Sequence, residues 1–185
     1  MPNVANRRGR GQHDSSAAQG EGPGLRFSTD AERGIRRLRS NQWIPIDRAR
    51  AFAFFADASN LQALTPPFLH FRIVTPLPIA MGVGTLIRYR LRIMGMPMGW
   101  LTRIEEWRPG EGFTDLQLRG PYARWIHRHT FSADKGGTWV RDEVEYALPL
   151  APVSDPFHAV FIRPMLQRVF AYRGSAIARL LGEAS

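Results

Sequence analysis

The stretch Gly120-Pro-Tyr-Ala-Arg-Trp-Ile-His-Arg-His-Thr-Phe131 decides how the rest of this chain is read. Side chains of a β-strand alternate between its two faces, so Trp125, His127, His129 and Phe131 fall together on one side. After a Gly136-Gly137 turn, the run Thr138-Trp-Val-Arg-Asp-Glu-Val-Glu-Tyr-Ala-Leu148 sets Val140, Asp142, Val144, Tyr146 and Leu148 on a single face. Two histidines and a carboxylate can then line one pocket, where they bind, catalyse or satisfy one another.

Working outward, the period-two pattern continues upstream. Phe71–Thr75, Gly84–Met94, Met98–Trp107 and Phe113–Arg119 read as strands separated by Gly, Pro and charged turns, followed by Ala123–Ala133 and Thr138–Leu148. The short connections argue for an antiparallel meander. With Phe131, Val144 and Leu148 as inward markers, one neighbouring face carries Phe113, Asp115, Gln117 and Arg119. Others carry Ile87, Tyr89, Leu91 and Ile93, and Met98, Trp100, Thr102 and Ile104. Arg88, Arg90 and Arg92 point outward, and Trp43, Trp107 and Trp139 fall at edges or on the opposite parity.

The ends of the chain change period. Ile35, Leu38, Trp43 and Ile44 suggest an opening strand, and Asp47 is placed to cap a helix bearing Ala51, Phe52, Phe55 and Ala56. Ser59 starts a second short helix that Pro66-Pro67 must end. From Asp155 to Leu181 the spacing predicts a long helix with Asp155 as N-cap and Pro156 at its first position. Its apolar stripe is Phe157, Val160, Phe161, Met165, Val169, Tyr172, Ala176 and Leu180, and Pro164 should kink or break it. Strand, two short helices, six strands and a long helix make an α+β fold: a curved antiparallel sheet wrapped around the terminal helix, with a cavity between them.

Composition narrows the function classes. With 185 residues, 44% of them hydrophobic, one domain with a sizeable core is expected. The chain has no cysteine, which excludes thiolate catalysis and Cys-based metal sites. No run approaches the roughly 20 apolar residues of a membrane span, and the start lacks a secretory apolar segment, so a cytoplasmic protein is expected. Residues 1–32 are rich in Gly, Ser, Ala and Arg, predicting a disordered basic arm ahead of a domain over 33–183. Much of the net charge of +9 lies in the first forty residues. No nucleic-acid motif accompanies it, which argues against a nucleic-acid partner, and no protein partner is indicated.

The element order and several motifs closely resemble the SRPBCC superfamily, also called START-like or Bet v 1-like, with its helix-grip fold. More narrowly, they are similar to its bacterial ligand-binding group labelled cyclase/dehydrase-like. The matching residues are Asn60-Leu61, Leu64-Thr65-Pro66-Pro67, Leu69-His70-Phe71, Gly84-Thr85-Leu86-Ile87, Phe113-Thr-Asp115-Leu-Gln117, and Gly120-Pro-Tyr122 through Trp125-x-His127-x-His129-x-Phe131. The resemblance implies a pocket rather than a particular reaction, because the superfamily hosts carriers, receptors and enzymes.

The expectation is therefore a protein that binds or carries a small, mostly hydrophobic molecule. Tyr89, Trp100 and Trp125 would form apolar wall, Gln117, His127, His129 and Tyr146 would orient a polar end, and Asp115 and Asp142 would position the histidines. A cyclase or dehydratase using His127, His129 and Asp142 for acid–base chemistry on an aromatic or polyketide-like substrate is the alternative. A ligand-free protein-interaction module is the second. Two histidines with Asp142 also compose a 2-His-1-carboxylate set, but the resemblance calls for no metal, and neither metal nor cofactor is expected.

Overall fold

The computed structural model describes residues 22–30, 33–150 and 154–182. Among the described residues, eight antiparallel strands form one sheet: β1 (Gly24–Asp30), β2 (Ile35–Ile44), β3 (Arg72–Ile73), β4 (Leu86–Ile93), β5 (Met96–Arg108), β6 (Gly112–Arg119), β7 (Arg124–Asp134) and β8 (Gly137–Ala147). Their order is β1-β2-β8-β7-β6-β5-β4-β3. From β3 to β8 each strand pairs with its sequence neighbour, while β2 closes onto β8. The register of β5 on β6 shifts between Leu101 and Thr102 and between Ile104 and Glu106. Such bulges bend and twist a long strand, which lets the sheet curve around a helix.

Helix α1 (Arg48–Ala56) follows β2, and Asp47 caps it as expected, its carboxylate accepting from the Arg50 N–H at 2.9 Å. The next turn is a 3₁₀ segment, Ala58–Leu61, capped by Asp57 rather than started by Ser59. At the other end, α2 (Asp155–Phe157) runs through a π-helical stretch (His158–Ile162) into α3 (Arg163–Leu181). Ser154, not Asp155, occupies the N-cap position, and the Asp155 carboxylate instead takes the buried Arg36 guanidinium. Pro164 cannot donate a backbone hydrogen bond and its ring needs space in the preceding turn. The helix meets that demand by widening, so that the Arg163 N–H reaches back to the His158 carbonyl and the run continues unbroken.

Two expectations change. Residues 24–30 belong to the expected arm, yet they form β1, paired residue for residue with β2 from Gly24↔Asn41 to Asp30↔Ile35. Its ladder is made by backbone groups, and Leu25 and Phe27 alone reach the core, so the segment carries no run of large apolar residues. The remainder of the expected arm lies outside the described residues, apart from Gly22 and Pro23. The helical stripe holds in its middle, where Ala176 is buried and Met165, Val169 and Tyr172 pack against the core, but Phe157, Val160, Phe161 and Leu180 are exposed and Ile162, Leu166, Phe170 and Ile177 are buried as well. The π-helical residues shift the face that the helix turns to the sheet.

The core has two apolar parts. One contains Leu38, Leu91, Trp100, Trp125, Val144, Tyr146 and Phe170; the other contains Ile44, Phe52, Phe55, Ile104, Phe113, Phe131, Val140 and Ile177. On β7 and β8, His127, His129 and Asp142 lie at the seam between them. The terminal helix is pinned over this seam by the Gln42 amide, which donates to the Gly174 carbonyl at 2.9 Å. Trp43 and Trp139 donate to Asp134 at the β7–β8 turn, as edge residues do. Trp107 instead packs edge-on to Phe52 at 5.2 Å, beneath α1.

Candidate functional site

The sheet register builds the polar centre. Asp115 on β6 lies opposite His127 on β7, and His129 on β7 lies opposite both Phe113 on β6 and Asp142 on β8. Directly opposed side chains on one face have Cβ atoms about 4.5–5.5 Å apart, and long side chains also reach the diagonal neighbour. Each histidine therefore meets both carboxylates. His129 Nδ1 is 2.6 Å and His127 Nε2 is 3.3 Å from Asp142 Oδ1. On the other side, His129 Nε2 and His127 Nδ1 are 3.4 and 3.8 Å from Asp115 Oδ2. The two ring centroids are 3.9 Å apart.

A fifth group arrives from the terminal helix. Arg173 Nε donates to Asp142 Oδ2 at 3.2 Å, and its guanidinium carbon lies 5.3 Å from the Phe55 ring centroid. Sequence reasoning missed Arg173, although it follows Leu166 and Phe170 at helical spacing. That position on a buried face is the pattern that exposes it: an arginine among core residues needs a buried carboxylate.

Electrostatics separates the two histidines. Burial works against the charged form of both. For His127 it wins, aided by repulsion from His129, and the ring is held below the ordinary histidine range. For His129 the attraction of Asp142, with hydrogen bonding to Asp115 and Asp142, outweighs burial and lifts it above that range. Burial also opposes ionisation of Asp142, yet Arg173 and His129 hold its carboxyl well below the usual value. The cationic form is thus disfavoured on His127 and favoured on its neighbour His129, and Arg173 offsets the carboxylate of Asp142.

Beside this centre lies a cavity of about 180 Å³ between the sheet, the terminal helix and the segment after α1. Its walls include Phe55, Leu64, Leu69, Tyr89, Leu91, Trp100, Tyr122, Trp125, Leu166 and Val169, and Asp115, His127, His129 and Arg173 lie at its polar end. Tyr89 and Trp100 turn their polar atoms to Thr102 Oγ1, at 3.1 and 3.0 Å, so they meet the cavity as apolar surface. Burial, with Asp115 nearby, pushes the Tyr89 hydroxyl above its usual range.

Of the nine residues singled out from the sequence, Tyr89, Trp100, Asp115, Trp125, His127 and His129 line the cavity. Asp142 sits behind the histidines. Gln117 is absent from the lining, because its amide spans the β6–β7 turn, donating to the Tyr122 carbonyl at 2.7 Å. Tyr146 is also outside the lining; its hydroxyl bonds His158 Nε2 at 2.8 Å. His158, to which no role is assigned from sequence, is thus buried and partnered. His70 is an exposed residue with φ of 45° at the turn after Pro67, and lies outside the lining.

A curved antiparallel sheet gripping a long C-terminal helix, with a cavity between them, is a helix-grip fold. Among solved structures, the chain is similar to protein Ms6760 from Mycobacterium smegmatis, with a TM-score of 0.60 and 15% identity over 85% of this chain and 98% of that one. The ZhuI aromatase/cyclase from Streptomyces sp. R1128 gives a TM-score of 0.58 at 15% identity, covering 82% and 99% of the two chains. Ara h 8.0201 gives 0.53 at 18% identity, covering 78% and 99%. At these identities the likeness is one of fold. No family model matches the sequence, and no curated protein matches it. No helix among the described residues is long and apolar enough to cross a membrane.

Proposed function

We propose that this chain binds or carries a small, mostly apolar molecule, one or two rings in size, whose polar end meets Asp115, His127 and His129. The observation that carries this reading is the cavity of about 180 Å³, apolar along its walls and ended by the polar cluster of Asp115, His127, His129 and Arg173. For scale, an engineered apolar cavity of about 150 Å³ holds benzene. Binding sites commonly combine apolar walls with a few placed polar groups, and a ligand-free interaction module calls for a closed core instead.

Titration with 2-naphthol, followed by quenching of Trp100 and Trp125 fluorescence, tests the reading. Saturable binding is expected, with naphthalene weaker because it leaves the polar end unpaired. Val169→Trp, which fills the cavity from α3, should abolish binding. If that variant stays folded and binds naphthol unchanged, the cavity is not the site.

One observation favours the enzyme alternative as a second reading. His127 is neutral, faces the cavity and has Asp115 beside it, which suits a general base, and a structural neighbour is an aromatase/cyclase. Under this reading His127→Ala still binds the naphthol probe, though more weakly, but loses turnover of a cyclisable polyketide-like substrate altogether.

A further inference from the structure

Asp142 meets each histidine on the nitrogen that points away from Asp115: its Oδ1 is 2.6 Å from His129 Nδ1 and 3.3 Å from His127 Nε2. Arg173 holds the other oxygen. An ionised carboxylate can only accept, so its closeness favours protons on those two nitrogens, although neither makes a well-directed hydrogen bond to it and Asp142 Oδ1 is left without one. The remaining nitrogens, His127 Nδ1 and His129 Nε2, turn towards Asp115 Oδ2. With no proton on either nitrogen, three acceptor atoms converge there, a set that a cation stabilises: the extra proton that His129 favours, or a metal ion in its place.

Spacing favours the larger cation. Charge-assisted N–H···O bonds close to about 2.7–2.9 Å, whereas the contacts to Asp115 are 3.4 and 3.8 Å. Donors held about 2.0–2.2 Å from a metal stand roughly 2.8–3.6 Å apart in tetrahedral or octahedral geometry. The first contact falls within that span and the second exceeds it slightly; all three donor atoms lie within 4.8 Å of one another. Asp142 occupies the place of the outer carboxylate that fixes the tautomer and orientation of metal-binding histidines.

We propose that Asp115, His127 and His129 form a site for a divalent first-row transition metal, with Asp142 and Arg173 positioning the two imidazoles. Two imidazoles and one carboxylate suit zinc, iron, copper or nickel better than magnesium or calcium. The open coordination positions face the cavity, where a hydroxyl or carboxylate of a bound molecule can reach the ion. The expectation of no metal paired both histidines with Asp142 as the carboxylate; in the structure Asp142 stands behind them and Asp115 in front. The site is the polar end of the proposed ligand cavity, but the ion needs no organic ligand, so the two proposals fail separately.

The test titrates metal-free, full-length protein with Zn²⁺ by calorimetry and with Co²⁺ by visible absorption, with thermal unfolding in parallel. One equivalent should bind and raise Tm. Asp142→Asn should weaken binding about 10–100-fold, and Asp115→Asn, which removes a donor, should weaken it more. His70→Ala, on its exposed turn, should leave binding unchanged. Asp115→Asn is the deciding variant, because Asp115 lies at the cavity surface and its replacement leaves both histidines in place. Absence of one-equivalent binding, or binding unchanged by Asp115→Asn, overturns the proposal. Naphthol binding without zinc binding overturns the metal site alone, and zinc binding without naphthol binding overturns the ligand reading alone.

Discussion

Replacing Arg173 by Met removes a charge from the seam of the core while keeping an unbranched stem over Phe55. The side chains of Arg173 and Asp142 are only 11% and 4% exposed, and in the native protein they meet at 3.2 Å. Breaking a buried pair from one side strands the other charge and costs about 3–5 kcal/mol, against about 0–1 kcal/mol for an exposed pair. His129 stays 2.6 Å from Asp142 and keeps part of the compensation, so the lower end, about 3 kcal/mol, applies. Urea unfolding at neutral pH measures the loss, with an unchanged m-value showing that both end states are comparable. Asp142→Asn in the same background should recover much of it, giving a coupling energy of about 2 kcal/mol. A loss below about 1 kcal/mol, or strictly additive single variants, would refute the view that the cluster is a desolvated, mutually compensated unit.

Two further outcomes are expected. Burial, reinforced by Arg36 and Arg163 and opposed by Asp155, lowers the His158 pKa, and burial pushes its partner Tyr146 up to about 12. On acidification the unfolded chain protonates this residue first, near about 6.5. Its stability contribution is therefore complete above that pH and lost as pH falls through it towards the folded value. His158→Gln should flatten this part of the stability–pH curve relative to the parent; parallel curves would rule the assignment out. Phe27→Ala should cost about 1–2 kcal/mol in urea unfolding, because the ring packs on the core and under the Arg163 guanidinium at 5.3 Å. No loss would mean that β1 is not part of the folded unit.

The strands from β3 to β8 were legible to within a few residues, and so were their inward faces, because alternation is a property of any five or six consecutive residues. Asp47 was legible as a cap for the same reason: its partner is three residues away. β1 was not, since an edge strand with one half-buried face needs little apolar sequence and takes its order from the partner strand. In the terminal helix Met165, Val169, Tyr172 and Ala176 were legible as core-facing, but the residues before Pro164 were misplaced because apolar residues occur around the whole first turn and the π-helical widening changes which of them face the sheet.

For the site, the sequence by itself determined that His127, His129 and Asp142 share a face, and that Asp115 does so on the neighbouring strand, because parity and hairpin order are local. Which carboxylate stands before the histidines and which behind was decided only by the register of β6 on β7 and of β7 on β8. Arg173 reaches Asp142 from 31 residues further along the chain, once the packing of the whole core has set the helix over the seam. That packing minimises empty space across many side chains at once, and no window of sequence contains it.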